Sequence, residues 1–106
     1  MDIDETLIQE VVDRILAVTR PERIILFGSA ATGHMGPDSD LDLLVIERGF
    51  TNAREESTRL RAALGSLDIP VDVFPMEPER FEETKNVIGG LAFPANKYGI
   101  VIYEAT

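Results

Sequence analysis

The chain has 106 residues, 44% of them hydrophobic and 27% charged, which fits one globular domain and excludes general disorder. Ten Lys and Arg against 19 Asp and Glu leave a net charge of −9, which excludes attraction to duplex nucleic acid by charge alone. Cysteine is absent, which removes disulfides and thiolate metal sites and leads us to expect a cytoplasmic protein.

No run approaches the ~20 apolar residues of a membrane span, and the acidic start is not that of a secretory signal. No repeat or linker divides the chain, so residues 1–106 read as a single domain. Asp4 to Thr19 predicts an amphipathic helix, with Leu7, Val11 and Ile15 at four-residue spacing and Pro21 preventing simple continuation. Ile24-Ile25-Leu26-Phe27 is an all-apolar run ending at Gly28, as expected of a strand buried on both faces. From Gly28 to Ser39 the sequence is small, polar and broken by glycine. Leu41 to Ile46 predicts a second buried strand, interrupted only by Asp42. Thr51 or Asn52 can cap the next helix, with Leu60, Leu64 and Leu67 as its buried stripe. Ile69 to Phe74 alternates as a third strand with Pro70 near its start. Pro78 suits the first turn of a helix running through Phe81 toward Ile88, where Gly89-Gly90 ends it. Residues 91–99 carry no clear pattern, and Ile100 to Tyr103 predicts a final strand. The order is that of an α/β or α+β fold around one sheet.

The carboxylates depart from this ordinary plan. Asp40 and Asp42 are two apart at the start of a strand, so both side chains share a face. Asp72 interrupts the third strand between Val71 and Val73, with no Lys or Arg in that strand to pair it. A buried unpaired charge costs several kcal/mol at least. If the two strands are neighbours, the three carboxylates converge, and a divalent cation between them relieves their repulsion. Hard oxygen ligands suit Mg²⁺ or Mn²⁺, with substrate phosphates completing the shell. Gly28-Ser29 follows the first strand directly, where glycine permits close backbone approach and amide groups can meet a phosphate. Ten residues separate Ser29 from Asp40-Leu41-Asp42. Four fixed residues at roughly one in twenty each, tried at about a hundred offsets, match by chance in fewer than about one in a thousand chains.

The stretch GSAATGHMGPDSDLDLLVI resembles the signature of the DNA polymerase beta-like nucleotidyltransferase superfamily. At this length the chain is similar to the minimal nucleotidyltransferases paired with HEPN-domain toxins. The resemblance runs from Ile24 through Asp72 and weakly to Tyr103-Glu104. It implies a small mixed β-sheet flanked by helices, with a nucleoside triphosphate held by Gly28 and Ser29. It also implies two metal ions on Asp40 and Asp42, with Asp72 completing a catalytic and metal-binding triad. One departure is visible: many relatives carry arginines where this chain has Ala30, Ala31 and Thr32. The implied activity is transfer of AMP from ATP, with Mg²⁺ or Mn²⁺, to a tyrosine of a cognate HEPN toxin, which makes the chain an antitoxin. At 106 residues there is no room for the helical domain with which larger relatives grip the base, so a partner is expected to complete the pocket. Two alternatives stand beside it: an antitoxin that neutralises by binding alone, and a nucleotidyltransferase for a small hydroxylated substrate.

Other motifs fail on spacing. Asp38, Asp40 and Asp42 begin like a calcium loop, but Leu43 and Gly49 stand where that loop needs Gly and Glu. Glycines 28, 33 and 36 do not form a dinucleotide fingerprint, and no lysine completes a Walker A loop. His34 is the only histidine and reads as an exposed loop residue, so Ser29 has no partner for a hydrolase triad. Lys85, Lys97 and Tyr103 read as surface or edge residues.

Overall fold

A computed structural model describes residues 5–28, 41–67 and 69–106. Their elements, in chain order, are α1 (Glu5–Leu16), β1 (Arg23–Phe27), β2 (Leu41–Ile46), α2 (Ala53–Ala63), β3 (Val71–Met76), α3 (Pro78–Thr84), α4 (Ala92–Tyr98) and β4 (Ile100–Glu104). The strands form one mixed sheet in the order β3-β2-β1-β4. β1 pairs antiparallel with both β2 and β4, whereas β2 pairs parallel with β3. A parallel pair cannot be closed by a hairpin, and here α2 makes the crossover. This is the expected α+β architecture.

Both inner strands are apolar on both faces because helices cover both. On one face Val11 and Ile15 of α1 and Leu60 of α2 pack on Ile24, Leu26, Leu43, Val45, Val71 and Val73. On the other, Phe81 of α3 with Ala92 and Ala95 of α4 pack on Ile25, Phe27, Leu44 and Ile46. Strand alternation therefore sends Asp42 and Asp72 to the second face, the side of Leu44 and Phe74.

Several boundaries differ from the sequence expectation, for physical reasons. The third strand starts later, at Val71, and runs on to Met76 through Pro75. β3 lies at the sheet edge, where a residue without an N–H is tolerated. α3 ends at Thr84 instead of continuing toward Ile88. Val87 and Ile88 are exposed, so no apolar face rewards further helix there, and a tighter bond from Val87 N–H to Thr84 O closes the turn. The unpatterned stretch contains α4, whose Pro94 falls in the first turn, where a missing donor costs little. The cap of α2 is Asn52, whose side chain accepts a hydrogen bond from Glu55 N–H at 3.1 Å.

Leu43 is fully buried and Ile88 is 81% exposed. We expect Leu43→Ala to cost about 2–5 kcal/mol and Ile88→Ala to stay within about 0.5 kcal/mol, both read from urea denaturation midpoints at constant slope.

Candidate active site

Three segments meet at one end of the sheet. β1 ends at Phe27, which lies opposite Asp42 in the antiparallel register, and β2 and β3 begin there. The parallel register sets Asp42 directly beside Asp72. Neighbouring strands are about 4.8 Å apart, so these two half-buried carboxylates stand side by side on one face. Val71 and Val73, on the other face, hold β3 to the core. Among the described residues no ion pair involves Asp72.

Gly28 is required twice over. Its φ of +78° lies in the left-handed region, which L side chains enter at a cost of about 1–2 kcal/mol. A Cβ at this position would also lie 2.3 Å from Asp42 Oδ2. The turn backbone thus comes down against the carboxylate itself, a closeness only glycine allows. Beneath the two aspartates the same face continues with Phe27 and Phe74, whose rings are 6.0 Å apart and tilted by 52°. An apolar floor of this kind lowers the local dielectric and strengthens any charge interaction above it.

Of the expected site residues, Gly28, Asp42 and Asp72 are thus brought together. Ser29 and Asp40 lie outside the described residues, as do Ala30, Ala31, Thr32 and His34. Among the described residues no three His, Cys, Asp or Glu side chains gather as a metal site. The donor set that is present fits a hard divalent cation: two adjacent, half-buried carboxylates on one face, one of them held against the backbone of the Gly28 turn.

Sequence reasoning missed Gly99, which precedes β4. A Cβ there would meet Ala95 O at 2.3 Å, Ile25 Cγ2 at 2.6 Å and Leu26 O at 3.0 Å. The α4–β4 junction is therefore seated on the end of β1 that leads into Gly28. A lone glycine in an unpatterned stretch was its only signal.

The sequence profile described as "Nucleotidyltransferase domain" matches residues 5–92. The chain belongs to the nucleotidyltransferase domain family. Two solved structures share its fold. One, a toxin–antitoxin with AMP-PNP, is 20% identical with a TM-score of 0.61, over 92% of this chain and 73% of that one. The other, a candidate nucleotidyltransferase from Sulfolobus solfataricus, is 18% identical with a TM-score of 0.65, over 93% of this chain and 78% of that one. No curated protein matches the chain. The nucleotidyltransferase match spans the turn and both aspartate-bearing strands. Among the described residues no helix is long and apolar enough to cross a membrane.

Gly49 also has a positive φ, +92°, but nothing lies within 4 Å of where its Cβ would be. Gly49→Ala should therefore pay only backbone strain, about 1–2 kcal/mol. Gly28→Ala should cost more and abolish nucleotidyl transfer, because its methyl group displaces Asp42. Denaturation midpoints and pyrophosphate release, measured on both variants, check the contrast.

Proposed function

We propose that this nucleotidyltransferase domain moves AMP from ATP onto a protein hydroxyl, a tyrosine of a HEPN-type toxin, and so acts as an antitoxin. The observation that carries the reading is the parallel register of Asp42 with Asp72, closed by the Gly28 turn. The fold shared with a toxin–antitoxin structure containing AMP-PNP supports the nucleotide and the partner.

In this reading Gly28 and Ser29 hold the triphosphate through backbone amides and a hydroxyl. Asp40, Asp42 and Asp72 hold divalent ions, Mg²⁺ or Mn²⁺. Bound there, such ions supply charge neutralisation on the phosphates and ease ionisation of the acceptor hydroxyl. The acceptor oxygen attacks the α-phosphorus and forms the new P–O bond. The bond from that phosphorus to the bridging oxygen breaks, and pyrophosphate leaves with the electron pair. In the same reading Asp72 takes the acceptor's proton, a role supported by its having no ion pair among the described residues. The remaining catalysis is positioning and electrostatics above the Phe27–Phe74 floor.

The test is co-expression with the toxin partner and mass spectrometry of that partner. Wild type should add one AMP to a tyrosine. Asp42→Asn and Asp72→Asn should lower the transfer rate on the order of 10²-fold or more while leaving circular dichroism unchanged. Neutralisation of the toxin by both Asn variants without transfer would favour binding alone, a reading that the Ala30-Ala31-Thr32 departure keeps open.

A further inference from the structure

β2 carries a second carboxylate just past its other end. Glu47 is 1% exposed, and its Oε2 has no hydrogen-bond donor among the described residues. Its other oxygen, Oε1, accepts a hydrogen bond from the Thr19 hydroxyl at 2.5 Å. The Glu56 carboxyl of α2 lies within hydrogen-bond reach of Glu47. Glu56 is itself gripped by Arg59, with bonds of 2.9 and 2.8 Å from Nε and Nη2. Arg59 Nη1 also donates to Val18 O at 2.6 Å. The groups facing Glu47 are thus one hydroxyl from the segment after α1, and one carboxylate and one guanidinium from α2. Two carboxyl oxygens cannot meet in a buried place unless one of them bears a hydrogen.

We propose that Glu47 and Glu56 share a single proton, carried on Glu47 Oε2, and that this proton latches α2 to the end of β2. The arginine is already committed to Glu56, which keeps Glu56 charged and leaves Glu47 as the member that is protonated. Its carboxyl is pushed up to about 7, first by burial and then by the bond to Glu56, against the opposing pull of Thr19. Glu56 moves down, chiefly through Arg59. Loss of the proton would leave two like charges in a buried site, and α2 would have to give way. The consequence reaches β3, because Ser57 Oγ of α2 donates to Val73 O at 2.6 Å, beside Asp72. The folded state holds this proton more tightly than the unfolded chain does. The latch's contribution to stability is therefore complete below the ordinary carboxylate range and is lost as pH rises through the folded value near 7.

The experiment is a side-chain carboxyl ¹³C NMR titration of the wild-type protein, with thermal melts between pH 5.5 and 8.5. Glu47 should titrate near neutrality, and the Glu56 signal should respond in the same step. The wild-type melting temperature should fall by about 5 °C or more across that window. Glu47→Gln, whose amide always donates to Glu56, should lack this fall. Thr19→Val should move the Glu47 midpoint to higher pH, because the lost hydroxyl bond favoured the charged form. Glu47 titrating with ordinary carboxylates below about pH 5 would overturn the proposal. So would parallel melting curves for wild type and Glu47→Gln. If Glu47→Gln fails to fold, the wild-type and Thr19→Val titrations still decide.

Discussion

The parallel pairing of β2 with β3 is the constraint on which the rest of the structure hangs. It sets Asp42 beside Asp72 in one register, and a slip of one residue would send one carboxylate into the α1–α2 core. Parallel strands need a long return path, so α2 must exist, and it must bury Leu60 to stay on the sheet. Phe81 and the two alanines of α4 then cover the opposite face, below the end where the aspartates stand. The pairing of Asp42 with Asp72 is a by-product of a register that the core enforces.

β2 also shows how a buried strand tolerates charge. Between its ends, Leu43, Leu44, Val45 and Ile46 are all at most 2% exposed, and the carboxylates flank this stretch. Asp42 is only half-buried, with the Gly28 turn packed directly against its carboxylate. Glu47 is enclosed by Thr19 and α2. Desolvation is the same threat in both places, but the remedies differ. Where solvent and ligand can reach, the proposed reading supplies a metal ion as counter-charge. Where nothing can enter, a proton is.

Much of this was legible in the chain. Strands built from unbroken apolar runs announce themselves, and so did Asp72, because a charge inside such a run demands a reason. The Gly28 turn and the β2 aspartate were readable from spacing. The direct contact between Gly28 and Asp42 was not, because it depends on the register across two strands. α4 was hidden by Pro94, which reads as a breaker unless it is known to occupy the first turn. Glu47 was invisible for the opposite reason. It follows a strand as any surface glutamate would, and only the packing of α2 makes it buried.

β1 occupies the middle of the sheet, yet its partner β4 comes more than 70 residues later in the chain. Closing so distant a pairing is slow, because chain entropy is lost before contacts repay it. On a ribosome, β1 can join β2 and β3 while its other edge still waits for residues 100–104. That open edge is a row of unsatisfied amides and carbonyls able to recruit a stray strand. Its cure is β4, seated in place by the close fit of Gly99 on β1.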